Sequence, residues 1–353
     1  MTTTPNETTL ERLRDEVERR LPDYLGDLET IVNIESGSYT KAGVDEVETW
    51  MAHRLAALGA SIERHPNTEL GDTVVATFEG QGPTVILIGH TDTVFDPGFL
   101  ARRPYEIDGD TIRGPGVSDM KSGLLMGLYA IEAVRATSEE GTLPFGRLVY
   151  IVNPDEEIGS PVSHDLIAQL AQGADAAFVM EAARANGDIV SARKGMMHLR
   201  ATIHGRSAHA GVEPEKGRSA TLEAAHKTIA LHALNGCWPG VTVNVGEIKG
   251  GTRPNIVAEE AILTIDMRAR LVSEQDEAEA AIYEILEAST VPDVTTTVEK
   301  LVGSRPLEKT EASAELVGAA VAIAAQLGFD LADTETGGGS DANTTAAVGV
   351  PSL

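Results

Sequence analysis

Two hydrophobic rhythms alternate along this chain. Short apolar runs, "TVVATFE" (73–79), "TVILIG" (84–89), "RLVYIVN" (147–153) and "AAFVM" (176–180), read as buried strands. Between them apolar residues recur at helical spacing. Leu10, Leu13, Val17 and Leu21 predict a first helix, with Thr8 and Glu11 spaced as a capping box. Val44, Val47, Met51, Leu55 and Leu58 predict a second, stopped by Gly59. Further helices are expected over residues 121–134 and 163–170. Strands separated by helices imply an α/β fold with a doubly wound, mostly parallel sheet.

From about residue 195 the rhythm changes. "MMHLRATIH" (196–204) alternates like a half-exposed strand, and residues 218–234 read as a helix. "VTVNVGEI" (241–248) and "AILTIDMR" (261–268) are two more strands, followed by a helix over 273–288 and the strand "VTTTVEKL" (294–301). The order β-α-β-β-α-β is that of a ferredoxin-like α+β sandwich. After "GSRP" (303–306) a helix over 312–327 returns to the earlier style. The expected organisation is therefore a first domain over 1–194, an inserted ferredoxin-like domain over 195–303, and the remainder of the first domain over 304–353.

Composition narrows the function. At 353 residues the chain is too long for one ordinary core. A formal charge of −26 argues against nucleic acid and anionic membranes as partners, since both need a basic surface. No apolar stretch approaches the roughly 18 residues of a membrane span. The polar start "MTTTPNETTLERLRDEVERR" has no signal-peptide core, and a single cysteine, Cys237, excludes an internal disulfide or thiolate metal cluster. The expected location is the cytoplasm. Lysine supplies only 8 of the 28 basic residues, and this acidic, lysine-poor surface suits a salt-rich interior.

In doubly wound sheets ligands bind beyond the carboxyl ends of the strands. Here those ends carry His90 and Asp92 after "VILIG", Asp155, Glu156 and Glu157 after "RLVYIVN", and Glu181 after "AFVM". The loop "RGPGVSDMKSG" adds Asp119 at a helix start. Each has a plainer reading alone: a polar turn, a solvated acidic triplet, a loop acid, a helix N-cap. Together they would place several like charges around one imidazole, a costly arrangement that divalent metal resolves. Imidazole with carboxylates suits zinc, with cobalt or manganese as substitutes. Asp92 is spaced to orient His90 through its other ring nitrogen, and Asp119 to bridge a metal pair. One of Glu156 and Glu157 is expected to ligate metal and the other to act as general base.

The stretches "GHTDTVF", "GPGVSDMKSG", "NPDEEIGS", "VMEAA", "RKGMMHLRATIHGRSAHAGVEPEKGRSA", "GGTRPNIV" and "GGGSDAN", in this order across residues 85–345, resemble the M20 family of metallopeptidases, most closely its glutamate carboxypeptidase branch. The resemblance implies a zinc-binding α/β domain interrupted by a ferredoxin-like domain that forms a homodimer. It also implies two zinc ions per subunit in a complete chain. His90 and Glu181 resemble terminal ligands, Asp119 the bridging ligand, Glu157 a ligand of the other zinc, and Glu156 the general base. His209 resembles the histidine that one subunit sends to its partner's site to stabilise the oxyanion. Asn255 and Arg268 resemble a substrate-binding pair, and Gly338, Gly339 and Ser340 the glycine-rich loop at the substrate's carboxylate end.

The implied activity is hydrolysis of an amide bond in a small peptide or N-acyl amino acid with a free carboxylate, C-terminal glutamate being favoured. Aminoacylase, acetylornithine deacetylase and succinyl-diaminopimelate desuccinylase share the metal ligands and stand as alternatives. One departure matters: the family's last zinc-ligating histidine has no counterpart after His232, so a C-terminally incomplete first domain is expected. An inactive metal-binding dimer is the corresponding alternative. A serine hydrolase is disfavoured, since neither "GVSDM" nor "GGSDA" forms the G-x-S-x-G elbow.

Overall fold

The computed structural model describes residues 7–138 and 143–353. It forms two compact units. One comprises the chain up to Ser191 with Lys309–Glu335 and Ser340–Leu353; the other comprises Ala192–Glu308 with Thr336–Gly339.

The first unit begins with α1 (Glu7–Val32), α2 (Lys41–Ala57), β1 (Ser61–His65), β2 (Thr73–Glu79) and β3 (Thr84–His90). A small ribbon, β4 (Glu106–Asp108) with β5 (Thr111–Arg113), precedes α3 (Ser122–Thr137). Then come β6 (Arg147–Asn153), α4 (His164–Ala171), β7 (Ala176–Val179) and β8 (Ile189–Arg193). The main sheet has the order β1-β2-β6-β3-β7. β3 runs parallel to β6 and β7, whereas β2 is antiparallel to β1 and β6. The α/β class is thus as expected, but the sheet is mixed. The short link over residues 66–72 lets β1 and β2 pair only as an antiparallel hairpin.

Both sheet faces are covered, which is why β6 is an unbroken run of buried, largely apolar residues from Leu148 to Val152. Its Leu148, Tyr150 and Val152 pack with α1, α2 and α3 through Leu28, Met51, Leu55 and Leu124. Val149 and Ile151 point the other way, into the cluster with Ile167 and Ala171 of α4. Pro351 and Leu353 accept hydrogen bonds from Ala177 and Val179 at 2.9 Å, so the last residues line the outer edge of β7. The reading of α1 needs correction. Thr8 already lies inside the helix, and Val17 and Leu21 are 51% and 54% exposed. Burial falls on Leu10 and then on Leu28, Ile31 and Val32, because helical spacing defines a face but not which turns a neighbour covers.

The second unit contains β9 (Gly195–His204), α5 (Ala220–His232), β10 (Thr242–Gly250), β11 (Glu260–Ala269), α6 (Val272–Glu287) and β12 (Thr295–Ser304). Its antiparallel sheet has the order β10-β11-β9-β12, the ferredoxin-like arrangement. Met197, Leu199, Ala201 and Ile203 of β9 face a core shared with α5 and α6, and the intervening residues face away. The chain continues through α7 (Glu311–Leu327), β13 (Asp333–Thr336), which pairs with β8, and α8 (Asp341–Ala347).

Candidate metal centre

Strand register assembles the centre. His90 ends β3 opposite Asn153, the last residue of β6, so the residues that follow β6 emerge beside the imidazole. β7 flanks β3 on its other side and leads directly to Glu181. A tight turn over residues 117–121 brings Asp119 in just before α3. The close approach depends on Gly123: a Cβ there would lie 1.7 Å from the backbone oxygen of Met180, next to Glu181. Lys121, wholly buried, ties the same loop to the end of α1 by donating to the Ile31 and Ile34 carbonyls at 2.9 Å each.

The imidazole of His90 is 1% exposed and has two distinct sides. Its Nδ1 lies 3.0 Å from the Asp92 carbonyl and 3.2 Å from Asp92 Oδ1. Its Nε2 faces Asp119 Oδ1 at 3.2 Å, Glu181 Oε1 at 3.9 Å and Glu156 Oε2 at 4.0 Å. Two groups of potential ligands share this histidine: His90 with Glu156 and Glu181, and His90 with Asp119 and Glu157, their ligand atoms within 4.8 Å of one another. The expected acids therefore converge on one spot, with Asp92 behind the imidazole.

Asp92 has a second task. Its Oδ1 accepts the Glu156 amide and its Oδ2 the Glu157 amide, both at 3.2 Å, while Ser38 Oγ donates to Oδ2 at 2.7 Å. The successive glutamates thus occupy a short helical turn, Glu156–Ile158, anchored by their backbones to the residue that orients His90. Burial raises the Glu156 carboxyl to about 9, reinforced by Asp341 and Glu181 although His90 opposes the shift. Burial likewise raises Glu157 to about 7, with Asp119 and Asp92 adding to it against His90. Burial opposes the charge on His90, but its contacts with Asp119 and Asp92 outweigh that and hold its pKa well above 6.5.

Of the other expected site residues, His209, Asn255, Arg268, Gly338 and Gly339 belong to the second unit and Ser340 to the first. His209 and Asn255 are exposed on two paired segments of the second unit: Ala210 N donates to Asn255 O at 3.0 Å, and Val257 N to Ala208 O at 2.9 Å. Arg268 stands on β11, its Nε donating to Asp266 at 2.9 Å. Gly338 and Gly339 accept hydrogen bonds from Arg193 through their carbonyls, at 3.3 and 3.1 Å. Ser340 caps α8: its hydroxyl accepts from Ala342 N at 3.2 Å. Sequence reasoning missed four supports of the centre: Ser38, Lys121, Asp341 and the bracing role of Asp155. Asp341 was within reach, since it stands in the quoted "GGGSDAN"; nothing local distinguishes Ser38.

Residues 191–294 match the family model described as a peptidase dimerisation domain. The chain is 30% identical over 335 residues to carboxypeptidase G2 of Pseudomonas sp. (strain RS-16), covering 94% of this chain and 80% of that protein. The chain belongs to the M20 family of metallopeptidases. Aminopeptidase PepT from Bacillus cereus has the same fold, with a TM-score of 0.76 and 25% identity over 93% of this chain and 88% of that one. Succinyl-diaminopimelate desuccinylase 2 of Shewanella loihica is 29% identical over 63% of this chain and 62% of its own length. As an M20 member the chain is a hydrolase of the metallopeptidase and deacylase class, and its family implies a divalent metal, typically zinc. Among the described residues no helix is long and apolar enough to cross a membrane.

The residues present fit such an ion. With Nδ1 turned to Asp92, Nε2 is the ring atom left facing the acids, as a zinc-bound imidazole requires. Its 3.2 Å separation from Asp119 Oδ1 matches that of two ligand atoms held about 2.0–2.1 Å from one tetrahedral ion. A dication would also oppose the raised pKa values of Glu156 and Glu157 by favouring their ionised forms.

Proposed function

We propose that this M20 member hydrolyses the amide bond of small peptides or N-acyl amino acids bearing a free carboxylate, with C-terminal glutamate favoured. The convergence of Asp119, Glu156, Glu157 and Glu181 on one face of a single buried imidazole carries this reading. His90, Asp119, Glu157 and Glu181 would hold a zinc pair, Asp119 bridging, with cobalt or manganese as substitutes. When bound, the metal supplies Lewis-acid polarisation of the scissile carbonyl and acidifies the attacking water.

The chain's own residues do the rest. Glu156 takes a proton from the water as it attacks the carbonyl carbon. The C–N bond then breaks, and Glu156 delivers the proton to the leaving nitrogen. Asp92 holds the His90 ring and the amides of both glutamates, which keeps the base and its ligand neighbour in fixed register. His209 stabilises the oxyanion across a homodimer, a role supported by its exposed position within the matched dimerisation domain. Asn255 and Arg268 bind substrate, the planar guanidinium suiting a carboxylate, with Gly338, Gly339 and Ser340 lining the same end.

Similarity to carboxypeptidase G2 supports the glutamate preference; similarity to succinyl-diaminopimelate desuccinylase supports a deacylase reading that uses the same centre. A panel of acyl-glutamate, acyl-ornithine and succinyl-diaminopimelate, assayed with zinc or cobalt, separates them. Cleavage of acyl-glutamate with the highest kcat/KM is expected. No turnover of it beside turnover of another member would move the assignment to that substrate.

A further inference from the structure

We infer that Asp341 is a positioning residue for the reaction: through Ser160 and Asn153 it holds the turn that carries Glu156 and Glu157. This rests on the metal-centre reading above. Asp341 opens α8 and is 3% exposed. Its Oδ1 accepts from Ser160 Oγ at 2.7 Å and its Oδ2 from Asn153 Nδ2 at 2.8 Å. These two donors bracket the glutamates. Asn153 ends β6 opposite His90, and Ser160 closes the turn by donating its backbone N–H to Asp155 O at 2.8 Å.

Ser160 has φ of 54°, a left-handed value that a non-glycine residue keeps only when its surroundings impose it. The bond from its hydroxyl to Asp341 is one such constraint. Asp155 braces the turn from inside, accepting Val162 N and Ser163 Oγ, both at 2.6 Å. Those contacts are local, so they close the loop without placing it. Asp341 lies 181 residues further along the chain than Ser160 and fixes the turn to a separate helix start. A buried carboxylate is a costly way to fill space, and here both its oxygens act as acceptors for groups flanking the proposed base and ligand.

The test uses the full chain with Asp341→Ala, Asp341→Asn and Ser160→Ala. It reads kcat and KM on an N-acyl substrate at saturating metal, Co2+ affinity by titration, and thermal unfolding. Asp341→Ala should lower kcat about 100-fold with little change in KM, as a misplaced base does. Its cobalt affinity should fall by about 10-fold or more, because Glu157 shares the turn. Asp341→Asn should restore most of both: Asn153 Oδ1 is buried without a partner, so that amide can turn to accept from the introduced one. Ser160→Ala, which keeps the carboxylate, should be intermediate, and it carries the test if Asp341→Ala does not fold. A folded Asp341→Ala or Ser160→Ala chain with unaltered kcat and cobalt affinity overturns the inference. So does an Asp341→Asn chain as impaired as Asp341→Ala, which would assign the effect to charge. Cobalt binding by the unmodified chain reads the metal centre separately, so failure of that reading and failure of the Asp341 inference are distinguishable.

Discussion

Replacing Glu48 with glutamine probes an acid whose ionisation the fold opposes, on a helix packed near the strand carrying His90. Glu48 lies on α2, wholly buried among Val44, Val47 and Met51. Its Oε1 accepts a long bond from Thr91 Oγ1 at 3.4 Å, and its Oε2 is buried with no partner. Burial, reinforced by the carboxylates of Asp45 and Asp72, raises its pKa well above 4.5. The folded chain therefore keeps the proton that the unfolded chain releases above 4.5. This contribution to stability is complete below 4.5 and is lost as pH rises through the folded pKa. Each pH unit within that window costs about 1.4 kcal/mol. Glu48→Gln preserves the shape and the acceptor for Thr91 while removing the titration. The variant should gain on the unmodified chain by about 1.4 kcal/mol per pH unit above 4.5, then level off at the folded pKa. Urea unfolding of both chains across that range measures the difference, in which terms from all other groups cancel. Parallel stability curves would refute the reasoning, as would a variant that loses stability relative to the unmodified chain as pH rises.

Three further outcomes are expected. Glu156→Gln should retain cobalt yet lose about 10²–10⁴ in kcat, whereas Glu157→Gln should weaken metal binding; near-full activity of Glu156→Gln, measured by initial rates, would reverse the assignment. Gly123→Ala should reduce both thermal stability and metal affinity, because its Cβ would meet the Met180 carbonyl at 1.7 Å and force α3 away from Glu181. Metal affinity, followed by calorimetry, should fall as pH decreases, since His90 and the surrounding carboxylates must release protons to bind; its pKa stands well above 6.5 without metal, so the fall should begin above that pH.

Much of this centre was legible because metal chemistry uses few side chains and the sheet displays them at strand ends. His90, Glu156, Glu157 and Glu181 could each be placed from an apolar run followed by an acid or imidazole, and Asp119 from a glycine-rich loop at a helix start. The supports were harder to see. Ser38 reaches Asp92 across 54 positions and Asp341 reaches Ser160 across 181, and a hydrogen bond at that separation leaves no periodic trace in the chain. Helical spacing placed α1 but not the turns that are buried: Val17 and Leu21 obey the spacing and remain 51% and 54% exposed.

By itself the sequence determined the alternation of strands and helices, the change of rhythm near residue 195, and which residue types could bind metal, since these follow from local periodicity and side-chain chemistry. Tertiary structure alone decided that β2 pairs antiparallel with β6, that both glutamate amides meet Asp92, and that burial raises the pKa of Glu48. These depend on register, desolvation and contacts between distant segments, quantities that exist only once the chain has closed on itself.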